Sequence, residues 1–133
     1  MQMEDFSYLM TSGQNVDNIR KFSKINENEG FEKNSSVMIM EKTLDWGHLC
    51  PSAPDTLRTW PVKKEDPLML CSIPNVYVVG NQKYFEASYY KYKGDEDKMV
   101  RLISVPKFSE TFSFVLFDAG SLNVMEYCFE FFN

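Results

Sequence analysis

Four of the chain's six prolines, Pro51, Pro54, Pro61 and Pro67, fall between residues 49 and 67. Proline fixes φ and has no N–H to donate, so a run this dense excludes a long helix or a central strand. Residues 49–67 therefore have to form an extended, structured loop, about as long as loops become before they are either functional or disordered. Helical signals lie before this loop and β signals after it. Leu57, Trp60 and Val62 supply the apolar groups expected to pin it to the domain. Asp66-Pro67 reads as the start of a turn, and Leu68-Met69-Leu70 as a short edge strand.

Before the loop, residues 6–10 are apolar enough for a short strand, which Thr11-Ser12-Gly13-Gln14 turns. A short helix to about Phe22 follows. Asn15 is its expected N-cap, and Asp17 sits in the first turn, where the helix dipole favours negative charge. A strand–glycine–helix junction can bind phosphate through free backbone N–H groups. With one glycine and no lysine at the Walker position, this one reads as a plain turn. Residues 24–35 are polar and read as a solvated, mobile loop. Ser36 is the expected cap of a second helix, over residues 37–48. Val37, Met40 and Leu44 give that helix one apolar face, and Glu41, Lys42 and Asp45 face water. Trp46 lies off the stripe and reads as core padding, with a partner contact as the alternative.

After the loop the pattern is β. In residues 74–82, Pro-Asn-Val-Tyr-Val-Val-Gly-Asn-Gln, a β-branched run ends abruptly at Gly80-Asn81. A buried strand that delivers a tight turn to the lip of a sheet reads this way, and in α/β enzymes that lip is where chemistry is done. Further strands are expected over residues 85–92, 99–105, 112–117 and 124–132. The first two are joined at Lys93-Gly94-Asp95-Glu96-Asp97, and the last two at Ala119-Gly120-Ser121. Their hairpin spacing predicts an antiparallel meander, so the class is α/β (α+β), with flanking helices and a C-terminal meander.

The chain of 133 residues is 44% apolar and 15% aromatic, which suits a packed domain rather than a disordered one. A net charge of −5 argues against broad electrostatic binding to nucleic acid and leaves room for a local basic patch. No apolar run approaches the ~18 residues of a membrane helix. Met-Gln-Met-Glu-Asp lacks the basic start and apolar stretch of a signal peptide. Cys50, Cys71 and Cys128 are odd in number and widely spaced, as expected of reduced thiols in an intracellular protein.

Few residues could carry catalysis. His48 is the only histidine. Ser52 and Asp55 follow it without a pattern that pairs them, so it reads as structural, at a helix C-terminus. Asp95-Glu96-Asp97 lacks the alternating ligands of a calcium loop and reads as a solvated hairpin tip. Lys91, Lys93, Lys98, Arg101 and Lys107 lie among Tyr89, Tyr90 and Tyr92. Such a mixture can make a single-stranded nucleic-acid platform, but lysines on an edge strand also guard against aggregation.

Three stretches carry a resemblance: Thr11-Ser12-Gly13-Gln14-Asn15-Val16-Asp17-Asn18-Ile19, the run Leu44-Asp45-Trp46-Gly47-His48-Leu49-Cys50-Pro51-Ser52-Ala53-Pro54-Asp55-Thr56-Leu57, and Asp66-Pro67 with Pro74-Asn75-Val76-Tyr77-Val78-Val79-Gly80-Asn81-Gln82. In this order they resemble the B (small, regulatory) subunits of eukaryotic replicative DNA polymerases, closest to the delta enzyme's second subunit. Val105-Pro106-Lys107-Phe108-Ser109 is similar to the family's Val-Pro-x-Phe segment. The resemblance implies that residues 1–133 form a single partial domain, the C-terminal part of a calcineurin-like phosphoesterase fold with a mixed sheet. The family's N-terminal oligonucleotide-binding-type barrel is expected to be absent.

In active phosphoesterases of this fold, Gly-His-x-His occupies the turn that here is Gly80-Asn81-Gln82-Lys83, so Asn81 and Lys83 stand at lost metal-ligand positions. Ser12 stands at a third, where active relatives have histidine. A two-metal site needs several His and Asp ligands, and a lysine ammonium repels a cation. The resemblance thus implies no catalysis, no metal and no cofactor. It implies a nuclear accessory subunit of DNA polymerase delta that supports replication. Its partners would be the C-terminal metal-binding domain of the catalytic subunit and a third small subunit, with DNA reached through the complex and no membrane. Asp55, Thr56, Leu57 and Trp60 are the candidate interface or architectural residues. The alternatives are a residual metal-dependent phosphoesterase or nuclease, and a stand-alone single-stranded nucleic-acid-binding module.

Overall fold

The computed structural model describes residues 6–22, 35–60, 62, 64–95 and 97–130. Residues 24–34 of the expected mobile loop lie outside these, as do residues 131–132 of the expected last strand. The elements run β1 (Tyr8–Thr11), α1 (Gln14–Phe22), α2 (Ser36–Trp46), β2 (Val76–Gln82), β3 (Glu86–Lys91), β4 (Met99–Pro106), α3 (Phe108–Thr111), β5 (Ser113–Phe117) and β6 (Val124–Cys128).

A four-stranded mixed sheet in the order β1-β2-β4-β3 forms the centre. β2 runs parallel to both β1 and β4, and β3 pairs antiparallel with β4. β5 and β6 form a separate antiparallel pair. The α/β class with a mixed sheet stands as expected, and the single meander resolves into two hairpins. The reason lies in β2. Val76 and Val79 are buried, and Val78 is half-buried between two neighbours, so β2 needs strands on both sides rather than a hairpin partner alone.

One face of the sheet carries Leu9, Tyr77, Val79, Leu102, Val100 and Tyr90, packed against Val16 of α1 and Val37, Ile39, Met40 and Leu44 of α2. Their alternation along each strand follows from the period-2 pleat. The opposite face is met by the β5–β6 pair, through Tyr8 edge-on to Phe117 at 6.2 Å and Arg101 Nε donating to the Leu122 carbonyl at 3.2 Å. Ile103 and Val76 are buried between these layers.

Both helix starts differ from expectation, by two positions at α1 and by one at α2. Asn15 lies inside the first turn of α1 rather than capping it, because its side chain is drawn inward. Thr11 Oγ1 donates to it at 3.0 Å, and its amide donates to the Tyr77 hydroxyl at 3.2 Å and the Leu49 carbonyl at 3.3 Å. Ser35, not Ser36, caps α2, accepting from Met38 N at 3.4 Å. Gly47 closes α2 in the left-handed conformation, φ 65°, with its N–H on the Leu44 carbonyl at 3.1 Å. Trp46 is not core padding: at the last position of α2 it is 51% exposed.

Asp45 and Tyr90 tie α2 to β3. The Tyr90 hydroxyl donates to Asp45 Oδ1, and Lys93 Nζ lies 3.1 Å from Oδ2. The Tyr90 bond holds the Asp45 carboxyl below its ordinary value. Burial, then Asp45, pushes Tyr90 up to about 12. The two shifts have opposite pH consequences. The Asp45 contribution is present above the ordinary carboxylate range and is lost as pH falls through its depressed value. The Tyr90 contribution is present below about 10 and is lost as pH rises toward about 12. Tyr90→Phe is expected to flatten both limbs of a stability–pH profile measured by urea unfolding; a profile unchanged in shape counts against the link.

Candidate functional site

The carboxyl ends of β1 and β2 meet at the lip of the sheet, where the two turns interlock. Gly13 has φ +94°, and a β-carbon placed on it would lie 2.1 Å from the Gly80 carbonyl oxygen. Only glycine lets the two backbones approach this closely. Asn81, at φ 54°, donates its amide to the Ser12 carbonyl at 3.0 Å. Ser12 and Asn81, two of the three positions singled out as lost ligands, are therefore brought together by a bond that uses the Asn81 amide N–H. Lys83 turns away: its ammonium lies over the Tyr84 ring at 4.9 Å, and Tyr84 holds its pKa above the ordinary lysine value.

Beneath the turns, Gln82 is buried and its amide bonds three groups. Its Nε2 donates to the Gly80 carbonyl at 3.0 Å. Its Oε1 accepts from Arg20 Nη2 at 2.9 Å and Ser36 Oγ at 2.8 Å. Arg20 also donates to Asp17 at 2.6 Å and to Ser36 Oγ at 2.8 Å. Glu86 accepts from Ser35 Oγ at 2.6 Å and Val37 N at 3.2 Å, which places a carboxylate at the positive end of α2. The lip thus offers the amides of Asn81 and Gln82 and the Arg20 guanidinium. Among the described residues, no group of three or more His, Cys, Asp or Glu side chains could hold a metal. This donor set does not fit a two-metal phosphoesterase centre, which requires converging imidazoles and carboxylates.

The proline-rich loop is held differently from expectation. Trp60 is 90% exposed and Val62 56%, so neither is an anchor; Leu57 is half-buried. Polar groups hold the loop, because its prolines cannot join a ladder and its remaining backbone groups need partners elsewhere. Asn18, buried on α1, donates to the Thr56 carbonyl at 2.7 Å. Its Oδ1 accepts from Thr56 Oγ1 at 2.8 Å and Ser52 Oγ at 3.2 Å. His48 pairs with Asp66 at 2.7 Å rather than with the helix end, and its Nδ1 accepts from Cys50 N at 3.1 Å. The His48 bond, then Leu68 N–H, holds the Asp66 carboxyl below its ordinary value. Residues 68–70 do not form a strand: Met69 makes one isolated bridge to His48. Buried Cys50 and Leu49 are the apolar feet of the loop.

With its base fixed, the loop presents Asp55 and Thr56 at the surface beside exposed Trp60. Its near side forms an open apolar groove of about 640 Å³ with the helix ends, lined by Ile19, Phe22, Trp46, His48, Pro51 and Ser52. Sequence reasoning missed Asn18, Arg20 and Gln82. Polar Asn15 and Asn18 at i, i+3 beside Val16 and Ile19 were the available signal, since they put amides on the face that has to be buried. Arg101, Tyr89 and Tyr90 of β3 and β4 do not stand free either: Arg101 stacks on Tyr89 at 4.3 Å while bonding Leu122, and Tyr90 bonds Asp45.

Residues 1–87, which hold the lip, the groove and the loop, match the family of DNA polymerase alpha/epsilon B subunits. The chain belongs to this family. Among its relatives, the DNA polymerase delta small subunit of Arabidopsis thaliana is 40% identical over 109 residues, covering 82% of this chain and 22% of the relative. DNA polymerase delta subunit 2 of Drosophila melanogaster is 36% identical over 113 residues, covering 85% and 24%. The Saccharomyces cerevisiae delta small subunit is 33% identical, covering 89% and 28%. The chain spans about a quarter of the length of these relatives.

Proposed function

We propose that this chain acts as a non-catalytic scaffold in a nuclear DNA polymerase delta–type complex, as part of a phosphoesterase-like domain whose metal-ligand positions, Ser12, Asn81 and Lys83, have been given over to structure. It would bridge the C-terminal metal-binding domain of the catalytic subunit to a further small subunit and support DNA synthesis, with DNA reached through the complex and any binding of its own at most weak. The observation that carries this reading is the lip. It keeps the turn at the end of a buried strand, while the Asn81 amide is bonded to Ser12 and the Lys83 ammonium lies over the Tyr84 ring. Interface work would fall to the Asp55-Thr56-Leu57 turn and to Trp60, because a large exposed aromatic beside a rigidly held loop has the character of a binding hot spot.

The test is co-purification with a polymerase delta catalytic subunit. Trp60→Ala is expected to weaken capture by about tenfold while leaving the circular dichroism spectrum unchanged, a loss of about 1.4 kcal/mol, within the range for an interface tryptophan. Unaltered capture by both Trp60→Ala and Asp55→Lys removes these residues from the interface. Manganese-dependent hydrolysis of a phosphodiester that disappears on changing Asn81 and Lys83 would overturn the non-catalytic reading. Tight, salt-dependent affinity of the isolated chain for single-stranded DNA would overturn the claim that DNA is reached through the complex.

A further inference from the structure

The proline-rich loop is closed at its base, and one side chain touches both ends. The chain enters the loop at residues 47–50 and leaves it at residues 66–70. Leu49 N–H donates to the Leu68 carbonyl and Leu70 N–H to the Gly47 carbonyl, both at 2.8 Å, around the His48–Met69 bridge. His48 engages both its ring nitrogens here, Nδ1 with Cys50 N–H at 3.1 Å and Nε2 with Asp66 Oδ2 at 2.7 Å. A backbone N–H can only donate, so Nδ1 is the acceptor and carries no proton. The one proton of the neutral ring is then on Nε2, where the Asp66 carboxylate accepts it. Imidazole is the side chain that ordinarily changes charge nearest neutrality, and a second proton can enter this ring only at Nδ1. There it would face the Cys50 N–H. Cys50 is fully buried, so an N–H that loses its acceptor at this point is cut off from solvent.

We propose that His48 is a proton-operated clasp of this loop. With the ring neutral, Nδ1 holds the Cys50 N–H and fixes the first turn, in which Ala53 N–H donates to the Cys50 carbonyl at 3.1 Å. When Nδ1 takes up a proton, two donors face each other and that turn loosens, while Nε2–H stays on Asp66. The Asp66 carboxylate serves both states, because the His48 bond and then Leu68 N–H hold it below its ordinary value. Around the ring, α1 presents Ile19 and Phe22, α2 presents Trp46, and the loop presents Pro51 and Ser52, none of them charged. The Cys50 thiol, the other titratable group beside the ring, is turned to Asn18 Oδ1 and Ser52 Oγ at 3.6 Å each. Asp45 of α2 is engaged with Tyr90 and Lys93 instead. Asn18 goes on holding Thr56 when the clasp opens, so the release is confined to the base of the loop. This inference goes beyond the scaffold reading and does not depend on it.

The experiment is nitrogen NMR of the isotope-labelled 133-residue chain as pH is lowered through the ring's own titration. The expected starting state is an imidazole protonated at Nε2 alone. As Nδ1 gains its proton, the Cys50 amide signal moves with the same midpoint. Its protection against hydrogen exchange, relative to an unstructured chain, falls by about tenfold or more, while the amides of β2 keep theirs. Two variants that do not titrate separate the ring nitrogens. His48→Asn puts an amide oxygen where Nδ1 stands and is expected to keep Cys50 protected at every pH. His48→Gln puts an amide N–H where Nε2 stands and is expected to leave Cys50 exchanging like the protonated wild type throughout. A neutral ring protonated at Nδ1 overturns the proposal, as does a Cys50 amide whose protection is indifferent to the ring's charge. So does a loss of Cys50 protection in His48→Asn at the wild-type midpoint, which would assign the pH response to another group.

Discussion

Replacing Gly13 with alanine is expected to cost about 3 kcal/mol or more and to leave little folded protein, a loss at the severe end for one added methyl group. Two effects combine. At φ +94° an L-residue is strained, and the new β-carbon would meet the Gly80 oxygen at 2.1 Å and Gln82 Nε2 at 2.5 Å. Both neighbours are held, Gly80 between the paired Val79 and Gln82 of β2 and Gln82 by Arg20 and Ser36, so neither can yield cheaply. The control is Gly47→Ala. Gly47 is also left-handed, at φ +65°, but nothing lies within 4 Å of its added carbon. That change is expected to cost about 1 kcal/mol, the conformational penalty without the clash. Thermal melts of the two variants measure the difference, and equal losses would mean that the close approach at the lip contributes nothing.

Asn18→Ala is expected to have the second largest effect, and a local one. It removes the groups that hold Thr56 and Ser52 and leaves the Thr56 carbonyl without its donor, a cost of about 2–3 kcal/mol. The bonds of the Asn18 side chain run to the loop and not to the strands, so hydrogen exchange should quicken across residues 50–58 and stay slow in β2 and β4. Asn18→Asp separates the two halves of the amide. It keeps the acceptor for both hydroxyls but turns an oxygen toward the Thr56 carbonyl, and it is expected to loosen the loop nearly as much. Uniform exchange throughout the chain in either variant would contradict the assignment of Asn18 to the loop alone.

Much of the fold was legible in the sequence because apolar periodicity records which faces are buried. The Val37, Met40 and Leu44 stripe and the β-branched run into Gly80 lie where their spacing put them. Strand order was not legible, since the pattern of β2 says that it is flanked on both sides but not by which strands. The loop was legible as a loop, from its prolines, and misread in its fastening. Trp60 is the largest apolar residue in it, yet it stands in solvent, and an asparagine from another element does the holding. Hydrogen bonds between residues 38 apart leave no periodic trace. Of the lip, Gly80 and Asn81 were singled out from the turn chemistry, while Gln82, which joins the lip to both helices, looks like any polar residue at a strand end.

Arg20 and Ser36 stand on either side of residues 23–34, and both donate to the same Gln82 oxygen. α1 and the start of α2 are therefore riveted together by a side chain from neither. Closing a longer connection costs only about 0.6 kcal/mol for each doubling of its length. This makes the interval between the helices a natural port: evolution can lengthen it, or an experimenter can insert an affinity tag or a fluorophore, without disturbing the sheet that the rivet secures.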